Sequence, residues 1–249
     1  RLATLWLDPA FGLLVYARCD EPDVRARALF LAATSLATPK APSGPAQGLA
    51  HLLGLQFPAN PLADDAWMIV AAARREAGDR AGERQALAQL LASQPEGDQV
   101  AEALFQTFWS FAAEAKPLEG AWALEFLARD FDSGPRGDGG DSERGRYWLG
   151  KSLLEATGEG QPADGVARLT ALAKDRPLTF YGLLARSLLD DRGHPLPPVE
   201  VVGASTGARK LGSLATDPAF AQAVELVRLG LFRDAREVLL AIDTRRLRN

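Results

Sequence analysis

A chain of 249 residues, 47% hydrophobic and 24% charged, has enough material for a sizeable core in one large or two small domains, and its net charge of −4 lacks the basic footprint of a general nucleic-acid binder. Its one cysteine, Cys19, excludes an intrachain disulfide, and no apolar run reaches the roughly 18 residues that a membrane span needs. Alanine and leucine outnumber Val, Ile and Thr, which biases the chain towards helix.

In chain order, Leu2 to Ala17 reads as a buried helix interrupted near Pro9. Asp23 to Leu36 reads as an amphipathic helix with Val24, Ala28, Leu31 and Ser35 on one face. Thr38 to Gly48, with three prolines and two glycines, is an expected loop, and a short helix over Leu49 to Leu55 follows. From Leu62 the pattern is regular. Ala66, Ile69, Val70, Ala73 and Ala77 mark a helix whose first turn holds Asp64 and Asp65, and Gly78-Asp79 breaks it before a second helix over Glu83 to Ala92. Val100 to Ala115 and a helix with Trp122, Leu124, Phe126 and Leu127 form the next hairpin, and Ser133 to Ser142 is an expected exposed loop with four glycines. Glu143 to Thr157 and Ala163 to Lys174 make a third hairpin, and Leu178 to Leu189 a further helix introduced by Pro177. Asp190 to Ala208 reads as a boundary, and a last hairpin over Pro218 to Leu229 and Arg233 to Ile242 precedes the basic Arg245, Arg246 and Arg248.

These hairpins carry an internal period. Trp67, Gly78, Asp79, Leu87 and Pro95 fall where a tetratricopeptide-like unit places its first-helix aromatic, turn glycine, second-helix apolar residue and closing proline. Ala115 stands 37 residues after Gly78, and Ala123 stands 37 after Ala86 (115 − 78 and 123 − 86). Leu149-Gly150 and Leu229-Gly230 open comparable steps, while Glu83 takes a place usually given to a small residue. A hairpin cannot bury its apolar face alone, so the expected fold is all-α: a right-handed superhelix, or solenoid, of antiparallel helix pairs. A compact helical bundle is the alternative.

No constellation of residues carries a reaction. Cys19 reads as a free, buried or partly buried thiol, and with His51 and His194 as the only histidines neither a catalytic thiolate nor a structural zinc site is expected. Trp67, Trp109, Trp122 and Trp148 sit at helical spacing in apolar faces and read as core rather than as a ligand platform. Glu76, Glu83, Glu114, Glu125 and Glu155 read as solvated helix faces, with nothing to mark an acid–base pair for glycoside cleavage. Asp190-Asp191 reads as a helix end. The glycines of 133–142 lack the flanking strand and helix of a phosphate loop. Catalytic, cofactor-binding and metal-binding residues are therefore all assigned as none, and no cofactor is expected.

The stretch P-L-T-F-Y-G-L-L-A-R-S-L-L, from Pro177 to Leu189, resembles a signature of the bacterial soluble lytic transglycosylases. R-Y-W-L-G-K, from Arg146 to Lys151, resembles the opening of the same unit in that family. Ala223 to Leu239, with Leu229-Gly230-Leu231 and Asp234-Ala235-Arg236, is similar to the linker hairpins ahead of the family's catalytic domain. The likeness covers Leu62 to Ile242. The family's catalytic Glu-Ser motif and Gly-Leu-Met-Gln segment are missing here, so no catalytic residue carries over.

The resemblance implies an α-superhelical domain over residues 1–190, best supported from 48 to 190, a linker at 191–208, and a linker-type hairpin at 209–249 ahead of an absent catalytic domain. It implies a periplasmic or cell-envelope setting for a non-catalytic body that orients a glycan-cleaving domain. The implied partners are peptidoglycan glycan strands and that catalytic domain, with no nucleic acid and no membrane span. Without an initiator methionine, the chain reads as trimmed, processed or a fragment. The alternative is a stand-alone tetratricopeptide-like scaffold that holds a protein partner in a concave groove.

Overall fold

The structure is a computed structural model that describes residues 8–37, 44–131, 139–198, 217–228 and 231–242. Among these residues there are twelve α-helices, one 3-10 turn at Pro117–Gly120 and no strand. The chain divides into two compact units, Arg1–Leu196 and Pro197–Asn249. The first contains α1 (Pro9–Arg18), α2 (Pro22–Leu36), α3 (Gly44–Gln56), α4 (Ala63–Glu76), α5 (Arg80–Ser93), α6 (Val100–Ala112), α7 (Ala121–Asp130), α8 (Gly140–Leu154), α9 (Gln161–Asp175) and α10 (Phe180–Asp191). The second contains α11 (Pro218–Arg228) and α12 (Phe232–Leu240), which pack on each other.

Each helix of the first unit packs on its neighbours in sequence, and α4 also meets α6 while α8 meets α10. The helices begin where the sequence supplies oxygen caps or proline. Asp79 accepts from the Gly82 amide at 2.8 Å to start α5, and Thr179 accepts from the Gly182 amide at 3.3 Å to start α10. Pro9, Pro22 and Pro162 occupy first-turn positions of α1, α2 and α9, where a missing N–H leaves no bond unmade.

Three helix pairs, α4–α5, α6–α7 and α8–α9, share one register. Left-handed backbone recurs at Gly78 (φ 75°), Ala115 (φ 60°) and Gly160 (φ 79°), each in the turn inside a pair. The steps are 37 and 45 residues (115 − 78 and 160 − 115). The same steps carry Leu87 to Leu124 and Leu169, and Leu90 to Leu127 and Leu172, all fully buried. They also carry a contact between pairs. The Gln99 amide donates to Asp65 at 3.0 Å, and at the corresponding positions the Arg144 guanidinium donates to Glu102 at 3.0 Å. The sequence offset thus marks Ala115 as a turn residue, and the structure places it in the conformation that glycine adopts elsewhere.

Several expectations are corrected. The expected loop Thr38–Gly48 is helical from Gly44, because Pro45 falls in the first turn of α3, where proline is tolerated; residues 38–43 lie outside the described part. The expected loop Ser133–Ser142 is helical from Gly140, and the buried Ser142 hydroxyl donates to the Ala128 carbonyl at 2.7 Å, tying α8 to α7; residues 132–138 lie outside the described part. On α2 the buried face is Ala26, Ala28, Leu29, Ala32 and Ala33, rotated from the expected stripe because helices pack on two sides of it. On α1, Leu13 and Leu14 are exposed rather than buried. Glu83 is not on a solvated face. It is 1% exposed, with Arg80 at 2.8 Å and Arg75 at 3.6 Å neutralising it, while the corresponding positions, 120 and 165, are glycines. Trp6, Leu229-Gly230, Arg245, Arg246, Arg248 and 199–216 lie outside the described residues.

Ala115 is the one described non-glycine residue with positive φ, and a Cβ at Gly78 meets nothing within 4 Å. Backbone strain alone should therefore separate the two positions. Ala115→Gly is expected to raise stability by about 1 kcal/mol and Gly78→Ala to lower it by about as much in urea unfolding. A destabilised Ala115→Gly chain would contradict the shared turn geometry.

Candidate functional site

A cleft of about 600 Å³ is built from α6, the turn and 3-10 segment after it, α8 and the turn leading to α9. Phe108, Trp109, Ala112 and Trp148 form its apolar floor and Leu118 one wall, while Lys116, Glu119, Lys151, Ser152, Glu155, Thr157 and Gln161 supply polar groups. The aromatic rings lock one another in place. Trp109 meets Trp148 edge to face at 4.8 Å between centroids, Phe108 at 5.3 Å and Phe105 at 6.0 Å. Trp148 continues the stack to Tyr147 at 5.4 Å, and Tyr147 continues it to Tyr181 of α10 at 5.7 Å.

Charge at the cleft is paired. Lys116 lies 3.7 Å from Glu119, and Lys151 lies 3.9 Å from Glu155 and 4.9 Å above the Trp148 ring. Arg192, just past α10, adds a second cation 3.2 Å from Glu155. Burial is the main cause that pushes the Tyr147 and Tyr181 phenols up, with nearby carboxylates adding to it, so both stay protonated at neutral pH.

Two other features invite comparison. A second, almost wholly apolar groove of about 400 Å³ runs between α5 and α7 and is lined by Leu91, Pro95, Leu104, Trp122 and Phe126. Asp64 and Asp65 of α4 lie near Asp98, at the approach to α6. Asp64 is 2% exposed, accepts from the Asp65 amide at 2.8 Å, and is covered by Gly97, where a Cβ would come within 2.5 Å of its Oδ2. Burial, then the neighbouring carboxylates, holds the Asp64 carboxyl above its ordinary value, and the same causes raise Asp65. A carboxyl covered this way has no open face for a substrate. Among the described residues no group of three or more His, Cys, Asp or Glu side chains is placed to hold a metal ion, and no helix is long and apolar enough to cross a membrane.

The residues singled out from sequence scatter across these features. Cys19 is a half-buried free thiol at the end of α1. His51 of α3 packs its ring against Trp67 at 5.4 Å, and His194 follows α10, its amide donating to the Leu189 carbonyl at 2.8 Å. Glu114 pairs with Arg84 at 3.0 Å and Glu125 with Arg168 at 3.7 Å, while Glu76 is exposed. Asp190 and Asp191 end α10, as expected. The tryptophans divide. Trp67 is buried core, but Trp109 is 41% and Trp122 49% exposed, so the core assignment of these two is corrected. Helical spacing shows which residues share a face; whether a neighbouring helix covers that face is a tertiary matter. Of the glutamates read as solvated, Glu155 alone lines the cleft, where its pairing with Lys151 and Arg192 shows it to be part of a polar rim. Leu118 and Glu119 had no helical periodicity to mark them.

Comparison of the chain with protein-family models, curated proteins and solved structures finds no match.

The raised Asp64 carboxyl gives a signed pH dependence. A folded-state value above the unfolded 3.8 favours the fold below that value, and the contribution is lost as pH rises through the folded value. Asp64→Asn keeps the oxygen that accepts from Asp65 and removes the charge. It is expected to raise the melting temperature at pH 7 and to leave it unchanged at pH 3. Equal effects at both pH values would show that the Asp64 charge is not the cause.

Proposed function

We propose that this chain is the non-catalytic α-superhelical body of a peptidoglycan lytic transglycosylase. In this reading it is a right-handed solenoid of tetratricopeptide-like antiparallel pairs that orients a glycan-cleaving domain and itself contacts peptidoglycan. The observation that carries the reading is the common register of α4–α5, α6–α7 and α8–α9 at Gly78, Ala115 and Gly160, with its repeated contact between pairs. Units that meet their neighbours through the same contacts stack with a similar step each time, which is how a solenoid is generated.

The family assignment draws support from where the resembling residues lie. R-Y-W-L-G-K is part of α8, and Pro177–Leu189 supplies the Thr179 cap and most of α10. The two segments pack together through Tyr147 and Tyr181. The setting that follows is the periplasm or cell envelope, and the 249 residues are given no chemistry of their own. A second reading, a stand-alone scaffold for a protein partner, is favoured by the apolar groove between α5 and α7 with Trp122 half exposed in it.

Co-sedimentation with purified peptidoglycan sacculi tests the first reading. The chain is expected to pellet with sacculi and to release no anhydro-sugar fragments from them. A chain that stays in the supernatant at low and physiological salt would overturn the peptidoglycan reading in favour of the scaffold. Released fragments would overturn the non-catalytic assignment.

A further inference from the structure

We infer that the cleft floored by Trp109 and Trp148 is a saccharide-binding site that takes a neutral oligosaccharide of N-acetylated amino sugars. The inference deepens the peptidoglycan reading above and rests on it for the choice of sugar, while the site itself is argued from geometry. A cavity of about 600 Å³ with an apolar floor and a few convergent polar groups has the form of a small-ligand site. Trp109 is packed against Phe105, Phe108 and Trp148 in T-shaped contacts, lines the cleft, and yet stays 41% exposed. An indole fixed by three aromatic neighbours and still open presents a rigid flat surface with little conformational freedom left to lose on binding.

The rim selects among ligands. A cationic ligand suits an aromatic floor, but here it would meet Lys116 and Lys151. An anion would meet Glu119 and Glu155. Each of these charges already has a partner within 4 Å, so the four charges that line the cleft sum to zero and offer hydrogen bonds, while Arg192, which does not line it, adds a second cation on Glu155. A pyranose fits both requirements. Its C–H face lies flat on an indole, and its edge hydroxyls both donate to carboxylates and accept from ammonium groups. The acetamido group of an N-acetylated sugar adds a methyl for the apolar wall at Leu118 and an amide that can donate to Glu119 or accept from Lys116. A proline-rich peptide matches the flat aromatic surface but brings few N–H donors for the two carboxylates.

The test is isothermal titration of the full chain with the soluble N-acetylglucosamine trimer, with a proline decapeptide as competitor. The trimer is expected to bind saturably. Trp109→Ala should weaken it at least tenfold with helicity unchanged by circular dichroism, and Trp122→Ala, in the other groove, should leave it unchanged. Glu119→Gln, on an exposed turn, serves if Trp109→Ala does not fold, and should weaken binding severalfold. No saturable binding, equal losses in Trp109→Ala and Trp122→Ala, or displacement of the trimer by the peptide would each overturn the assignment. Sacculus binding without trimer binding removes the saccharide site and leaves the peptidoglycan reading. Trimer binding without sacculus binding does the reverse.

Discussion

The constraint on which the first unit depends is the close approach of successive helices through residues that lack a side chain. A Cβ on Gly145 of α8 would come within 2.8 Å of the Ala128 amide nitrogen and 2.9 Å of the Leu124 carbonyl oxygen on α7. A Cβ on Gly165 of α9 would land on the Leu154 amide of α8 and within 2.7 Å of the Gly150 carbonyl oxygen. Backbone sits against backbone at these crossings, and the large side chains are left to fill the layers on either side. Leu124, Leu127, Leu169 and Leu172 fill them completely. At the corresponding position α5 carries Glu83 in place of a glycine, and Arg75 and Arg80 neutralise the buried carboxylate there.

That packing also makes the cleft. Gly120 brings the 3-10 segment against α6, where a Cβ would stand 3.0 Å from the Phe108 Cα, and this carries Leu118 and Glu119 to the cleft wall. On the other side, α8 is held to α6 by the Arg144–Glu102 bond and by the Trp109–Trp148 contact. The polar rim is tied in turn to α10 by Arg192 on Glu155. The end of α10, through Arg192, and its start, through Tyr181 on Tyr147, therefore support the wall of the cleft that α8 provides.

Much of the helical framework was legible in the sequence, because it is written in local chemistry. Gly78, Asp79 and the recurrence of apolar residues at helical spacing mark starts, stops and faces. Ala115's place in the turn could be read from its offset to Gly78, but its left-handed backbone could not, and the helix expected to reach it stops at Ala112. The failures have one physical origin. Gly44 and Pro45 look like loop residues until their place in a first turn is known, and Glu83 looks solvated until two arginines from neighbouring turns are placed beside it. Trp109 and Trp122 look like core until their exposure among the described residues is seen. The cleft was the least legible feature. Its walls come from segments far apart in the chain, α6 with the 3-10 turn and α8 with the turn before α9, which no local spacing brings together.

The most direct measurement of the central claim is the unfolding free energy of Gly165→Ala beside that of Gly48→Ala. Both glycines lie inside helices, but nothing stands within 4 Å of a Cβ at Gly48, whereas at Gly165 the added methyl meets the backbone of α8. Helix propensity alone would stabilise both variants by up to about 1 kcal/mol. Close helix approach predicts that Gly48→Ala gains this and that Gly165→Ala instead loses about 1–3 kcal/mol through overpacking. A Gly165→Ala chain as stable as wild type would contradict the account.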